Sequence, residues 1–104
     1  MVVNYVSLRG SNVTDTELGH LAALPELRSL DLDSTQITDA GLFYLRELTK
    51  LQELHLGGTR ITDARLEHLQ ALTQLRVLRL GDTQVTDAGV AELQKALPNL
   101  TVER

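Results

Sequence analysis

The chain has no cysteine and no tryptophan, and only 3% of its 104 residues are aromatic. Without cysteine it can form no disulfide bond, no thiolate metal site and no cysteine nucleophile, and the composition fits a reducing compartment. Its apolar runs fall far short of the ~20 residues that a membrane-spanning helix requires. The first residues also lack the basic region of a signal peptide. These absences leave the location open, and a cytoplasmic one is expected if the chain is complete.

The charge is mixed and mildly acidic. Ten Lys and Arg residues stand against 14 Asp and Glu residues, which gives a formal net charge of -4. The sequence has no basic stripe of the kind that binds nucleic acid by counterion release, and no basic amphipathic segment that suits a membrane surface. Nucleic acid and a membrane surface are therefore not expected as partners.

What the chain does have is a repeat of 24 residues. Ile37-Thr38-Asp39 recurs as Ile61-Thr62-Asp63 and as Val85-Thr86-Asp87, and Val13-Thr14-Asp15 opens the series. Between these blocks runs Leu27-x-x-Leu30-x-Leu32-x-x-Thr35, which recurs at 51–59 and 75–83. A fixed period of this length indicates a solenoid of stacked units.

One half of each unit predicts a short strand. In Leu30-Asp31-Leu32 both leucines point to one side and Asp31 points to the other. The same alternation recurs in Val6-Ser7-Leu8, Leu54-His55-Leu56 and Leu78-Arg79-Leu80. Because these segments recur in the same chain direction, we expect them to form a parallel sheet.

The other half predicts a short helix. Leu42, Leu45 and Leu48 have the three-residue spacing that lines one face of a helix. The threonine of each Thr-Asp pair stands where an N-cap belongs, and the aspartate that follows favours the positive end of the helix dipole. Thr14 and Glu17 have the spacing of a full capping box.

A strand and a helix every 24 residues, with apolar columns in phase, resemble the leucine-rich repeat family. The motif Ile37-Thr38-Asp39-Ala40-Gly41-Leu42 is similar to the helix-rich class shared by ribonuclease-inhibitor-like proteins, F-box-associated repeats and many bacterial repeat proteins. The resemblance implies an α/β solenoid, a short right-handed arc with a parallel sheet on its concave face and helices on its convex face. It also implies a non-enzymatic module for protein–protein interaction.

One column departs from the commoner pattern of that family. After the strand the family often has Asn or Cys, whose side chain bonds to the backbone of the turn, whereas this chain has hydroxyl residues at Ser11, Thr35, Thr59 and Thr83. A hydroxyl can make the same kind of bond, although a weaker one. The departure therefore concerns stability more than function.

The repeats predict a single domain over residues 1–104. Its units are expected at about 3–26, 27–50, 51–74 and 75–99, with a closing partial strand at 100–104. The last repeat carries one extra residue near Lys95-Ala96, which makes the register of Val102 uncertain.

Partner-binding residues are expected on the concave face, where proteins of this kind often bind. The outward positions, read by phase, give Tyr5, Ser7, Arg9, Asp31, Asp33, Glu53, His55, Val77 and Arg79. The sharpest feature is an acidic group of Asp31, Asp33 and Glu53 beside His55 and within reach of Arg79.

Three interpretations of this acidic group compete. Carboxylates and a histidine can bind a divalent cation, or a carboxylate and the histidine can act as a catalytic acid–base pair. Neither a deep pocket nor a nucleophile accompanies them. The favoured interpretation is a solvated, charge-mixed face that meets a protein, so we expect no catalytic residue, no metal and no cofactor.

Two further surfaces are open to partners. On the convex side, Phe43 and Tyr44 are adjacent aromatic residues, and Phe43 is expected to be largely exposed. At the ends, neither terminal strand has an evident cap, and Val2-Val3-Asn4-Tyr5-Val6 is an apolar edge. The alternative function is therefore a structural or assembly unit that self-associates head to tail through its terminal strands without a dedicated ligand.

Overall fold

The computed structural model describes residues 3–104, so Met1 and Val2 of the predicted first strand and of the predicted N-terminal edge lie outside the described residues. Strands of three residues form one parallel sheet in chain order: β1 (Tyr5–Ser7), β2 (Ser29–Asp31), β3 (Glu53–His55), β4 (Val77–Arg79) and β5 (Thr101–Glu103). The predicted parallel sheet is confirmed. Each of the first four strands begins one residue earlier than its predicted triplet.

The strands pair at equivalent positions of successive repeats. Val6 lies beside Leu30, Leu30 beside Leu54, and Leu54 beside Leu78. This register turns the 24-residue period into straight rows of side chains across the sheet. The leucine row faces the helices and the alternate residues face the opposite side.

Helical segments connect the strands, but they are of two kinds. Two are α-helices, α1 (Asp39–Leu45) and α2 (Asp87–Ala96), and two are 3₁₀ helices, η1 (Thr16–Ala23) and η2 (Asp63–Ala71). Among the residues that the structure describes, none of these helices has the length and hydropathy to cross a membrane.

The core is one apolar layer between the sheet and the helices. Leu30 and Leu54 from the strands and Leu42 and Leu45 from α1 are fully buried. Equivalent residues of the four repeats continue this layer along the stack, so each unit covers the apolar face of its neighbours.

The hydroxyl column after the strands behaves as the sequence predicts. The Oγ1 atoms of Thr35, Thr59 and Thr83 each donate to a backbone carbonyl three residues earlier, at 2.7 Å. Thr35 and Thr59 are buried, and this bond satisfies the hydroxyl there.

Three of the four predicted threonine N-caps are confirmed. The Oγ1 atoms of Thr38, Thr62 and Thr86 accept backbone N–H groups at 3.3, 3.2 and 3.2 Å. The prediction for Thr14 is wrong, because η1 begins at Thr16 after Asp15 and has no side-chain cap. Only half of the capping box forms: the Thr14 N–H donates to Glu17 Oε1 at 2.9 Å.

The aspartate of each Thr-Asp pair joins one repeat to the next. Asp39 accepts the Thr62 N–H at 2.8 Å and the Thr62 hydroxyl at 2.6 Å. Asp15 makes the same two bonds to Thr38, and Asp63 makes them to Thr86. We call this arrangement the Asp–Thr clamp. The Thr86 hydroxyl and then its N–H lower the pKa of Asp63.

The clamp accounts for the difference between η2 and the two α-helices. A β-carbon at Gly41 would lie 2.7 Å from Asp15 Oδ1, and one at Gly89 would collide with Asp63. With glycine at this position, α1 and α2 form. The equivalent residue next to Asp39 is Arg65, whose β-carbon cannot take that place, and it adopts a non-helical φ of -130° within η2.

The extra residue of the last repeat leaves the sheet undisturbed. It lengthens the α2 side, so Leu97 and Leu100 lie 25 residues after Leu72 and Leu75. Thr101 then follows directly in β5, and Val102 pairs with Leu78 at a separation of 24 residues. The predicted closing strand is confirmed and its register is settled.

A left-handed backbone position recurs after each of the first four strands. Gly10 and Gly58 occupy it with φ of 69° and 68°, while Ser34 and Asp82 occupy it with φ of 59° and 57°. Residues with a β-carbon are strained in this region, by roughly 1 kcal/mol or more.

We expect Ser34→Gly to raise the free energy of unfolding by about 1 kcal/mol, because glycine removes that strain. Urea denaturation monitored by circular dichroism would measure it. The matched control is Ser29→Gly in β2, where the backbone is extended and glycine should instead destabilise. Equal losses of stability at both serines would contradict the prediction.

Candidate partner-binding face

The side of the sheet opposite the helices presents two rows of side chains, which we call the concave face. One row contains Tyr5, Ser29, Glu53, Val77 and Thr101, and the other contains Ser7, Asp31, His55, Arg79 and Glu103. Arg9 and Asp33 follow β1 and β2, and their side chains meet at 3.5 Å. The sheet therefore brings all nine predicted concave residues onto one surface.

His55 lies between two carboxylates at the centre of this face. Its Nδ1 is 3.9 Å from Asp31 Oδ2, and its Nε2 is 3.5 Å from Glu53 Oε2. The Nε2 atom is buried and makes no hydrogen bond with any residue that the structure describes. Asp31 is itself buried, and its Oδ1 accepts the Asp33 N–H at 3.0 Å.

Arg79 lies near the acidic group, but its hydrogen bond is to a residue outside that group. Although it is the register partner of His55, its Nε donates to Glu103 Oε1 at 2.8 Å. This bond, then the charge of Glu103 and to a lesser degree those of Asp33 and Glu53, raise the pKa of Arg79. Half of the Arg79 side chain remains exposed, so it is still available to a partner.

Two glycines open a shallow cavity of about 300 Å³ at the end of the face. Its lining includes Asp33, Gly57, Gly81 and Arg79. The Gly57 N–H donates to Asp33 Oδ1 at 2.7 Å, and a β-carbon on Gly57 would press on that same oxygen at 3.2 Å. A side chain at position 57 would crowd this oxygen, which gives a physical reason for glycine there.

The geometry permits a cation but does not require one. Asp31, Asp33 and His55 each offer one ligand atom, and these atoms lie within 4.8 Å of one another. Oxygen and imidazole ligands of this kind suit a divalent metal. The guanidinium of Arg9, 3.5 Å from Asp33 and 4.0 Å from Asp31, already supplies positive charge there.

Sequence reasoning missed Glu103, which belongs to the concave face and forms an ion pair with Arg79. The signal was present, because Glu103 follows Arg79 by 24 residues. The extra residue of the last repeat obscures this spacing in the sequence, because it shifts Leu97 and Leu100 by one position.

The convex pair is partly covered by neighbouring side chains. Phe43 is 46% exposed, since its ring packs edge-on against Tyr44 at 5.4 Å and against His68 at 5.9 Å, both between centroids. The guanidinium of Arg46 lies over the same ring at 4.2 Å. Tyr44 is partly buried beside Gly19. Phe43 is therefore exposed, and these contacts cover part of its ring.

Comparisons with known proteins agree with this architecture. The family model described as leucine rich repeat matches residues 25–85. Internalin C2 of Listeria monocytogenes has a similar structure, with a TM-score of 0.79 and 33% identity over 96% of this chain and 40% of its own. A comparison with curated proteins finds no match.

More distant structures share the fold alone. The Mex67:Mtr2 subunits of Chaetomium give a TM-score of 0.73 at 18% identity, over 95% of this chain and 76% of the matched one. A leucine-rich repeat protein of Leptospira interrogans gives a TM-score of 0.58 at 21% identity, and the match covers 83% of this chain and 27% of that protein's chain. This chain thus spans less than half the length of internalin C2 and of the Leptospira protein.

Proposed function

The chain belongs to the leucine-rich repeat family, and on that premise we propose that it binds a protein partner through its concave face. Domains of this family generally mediate protein–protein interaction and are typically not enzymes. We also propose that residues 1–104 act as one domain with the repeats predicted from the sequence.

The observation that carries the proposal is the continuous pair of rows on the sheet. Tyr5 is 59% exposed, and about half of the Glu53 and Arg79 side chains is accessible. An exposed aromatic residue and an exposed arginine are the residue types most often found at the centre of interfaces. Short β-strands hold them on a rigid surface, so a partner meets them without ordering a loop.

We expect Glu53→Arg and Arg79→Glu each to weaken partner binding by about tenfold or more, because each reverses a charge at the centre of the face. Both side chains are half exposed, so the fold should tolerate the change. The measurement is affinity capture on the immobilised protein, followed by titration of the captured partner against each variant.

The matched controls are Glu26→Arg and Lys50→Glu. These residues form a partly exposed ion pair at 2.9 Å outside the concave rows, and they carry the same charges as Glu53 and Arg79. A partner that responds equally to control and concave variants would bind elsewhere, and the proposal would fail.

An assembly unit is the second candidate function. The sheet order leaves one side of β1 and one side of β5 unpaired within residues 3–104, and Val3 beside β1 is exposed. Unpaired edges of parallel strands can add a second copy head to tail. Sedimentation equilibrium over a concentration series tests it. Self-association that is weakened by Val3→Lys would favour the assembly function. A strict monomer at high concentration would rule that function out.

A further inference from the structure

Neighbouring helical segments are separated by grooves on the convex side, and aromatic side chains fill the first two. In the groove between η1 and α1, the ring of Tyr44 lies against Gly19. In the groove between α1 and η2, the ring of Phe43 packs against His68, with Arg46 stacked on it. Each ring thus covers a junction between two repeats.

We call the groove between η2 and α2 the third groove. No aromatic residue of the described part of the chain is among the residues that line it. The position of Phe43 is taken by Glu67, that of His68 by Glu92, and that of Arg46 by Gln70, each 24 residues later. What remains is a cavity of about 400 Å³ with Leu66 and Leu93 among its lining residues. This volume falls in the range of sites that hold one bulky side chain or a small ligand.

The charge of the third groove is of one sign. Three carboxylates line it, from Asp63, Glu67 and Glu92, and no Lys or Arg is among its lining residues. Asp63 is engaged in its clamp with Thr86, and Glu92 accepts from Lys95 at 3.0 Å outside the lining. Glu67 makes no ion pair within residues 3–104, so the rim carries uncompensated negative charge.

We propose that the third groove is a docking site for an exposed segment of a partner protein that carries an aromatic side chain next to a lysine or arginine. The ring would take the place that Phe43 takes in the second groove. The basic group would meet Glu67 and Glu92, as Arg46 accompanies Phe43 within this chain. The inference is independent of the concave face and adds a second interaction surface.

The test uses two short peptides of otherwise identical sequence, one with phenylalanine between two lysines and one with phenylalanine between two glutamates. Chemical shifts of the folded protein are followed by NMR during titration. We expect the lysine peptide to shift the Ala88, Gly89, Leu66 and Leu93 signals with saturation, and the glutamate peptide to leave them unchanged.

Two variants report on occupation of the groove. Ala88→Leu fills it without a change of charge, and Glu67→Phe installs the aromatic residue that the other grooves have. Both should weaken binding of the lysine peptide about tenfold or more, and Glu67→Phe should also raise the melting temperature. Ala64→Leu is the matched control, because Ala64 lies 24 residues before Ala88 and has the equivalent place beside the second groove, which Phe43 already fills. This variant should bind the lysine peptide as tightly as the unaltered protein does.

Other results would overturn the proposal. These are an absence of saturable shifts around the third groove, equal binding of both peptides, or binding that Ala88→Leu does not weaken. Because none of these variants lies on the concave face, loss of the proposed protein-binding function would appear separately, in the Glu53 and Arg79 variants.

Discussion

Replacing Asp39 by alanine is expected to lower the free energy of unfolding by about 2–3 kcal/mol. The change removes a carboxylate that accepts both the N–H and the hydroxyl of Thr62, which lies in the next repeat. Bonds to a charged acceptor contribute more than neutral ones, and the partly buried Thr62 would be left with an unsatisfied N–H. Urea denaturation with a fixed m-value would measure the loss.

The structure offers a close control for this experiment. Asp87 is the first residue of α2, as Asp39 is the first residue of α1, so both lie at the positive end of a helix dipole. Within residues 3–104, however, Asp87 clamps no threonine; it is fully exposed and its one ion pair is with Arg104. Asp87→Ala should therefore cost well under half as much as Asp39→Ala. Equal losses would show that the dipole, not the clamp, stabilises the stack.

Replacing Gly41 by alanine is expected to destabilise the protein by about 1–3 kcal/mol, the usual cost of overpacking. A loss of stability would be informative, because alanine in place of glycine inside a helix normally stabilises a protein by up to about 1 kcal/mol. Here the new methyl group would lie 2.7 Å from Asp15 Oδ1 and 3.0 Å from Leu18 Cδ1. The carboxylate cannot retreat without breaking its bonds to Thr38.

A double-mutant cycle identifies the cause. In an Asp15→Ala background the nearest colliding atom is gone, so the added cost of Gly41→Ala should shrink to a fraction of its value in the unaltered protein. If Gly41→Ala lowers the free energy of unfolding equally in both backgrounds, the Asp15 carboxylate is not what excludes the methyl group. The explanation of helix type by the clamp would then be wrong.

Much of the fold could be predicted from the sequence because the period places equivalent residues in rows. The leucine columns, the one strand per repeat and the threonine hydroxyls that bond to the turn all follow from the alternation and the phase. These features follow from residue type, because equivalent residues of successive repeats make the same local contacts.

The clamp could not be predicted by local reasoning. An aspartate at the first turn of a helix has a sufficient local explanation in the helix dipole, whereas its main partner is a threonine 23 residues later. Helix type was missed for the same reason, because the non-helical backbone of Arg65 depends on Asp39 of the preceding repeat.

The candidate site was predicted in outline but not in its pairings. Phase places Asp31, Glu53 and His55 together, and the structure agrees. The repeat phase does not determine which partner a long side chain bonds to, because that depends on the geometry of the side chain. Arg79, for example, donates to Glu103. The empty third groove likewise becomes visible only when the rings that fill the other two are seen in place.

The extra residue near Lys95 is balanced before β5 begins. One residue separates Leu75 from Val77, whereas Thr101 follows Leu100 directly, so Val102 still lies 24 residues after Leu78. In this repeat a longer helical side is therefore matched by a shorter link to the strand. The order of side chains presented to a partner across the sheet stays the same, because the total length of the repeat is unchanged while its division between helix and link is not.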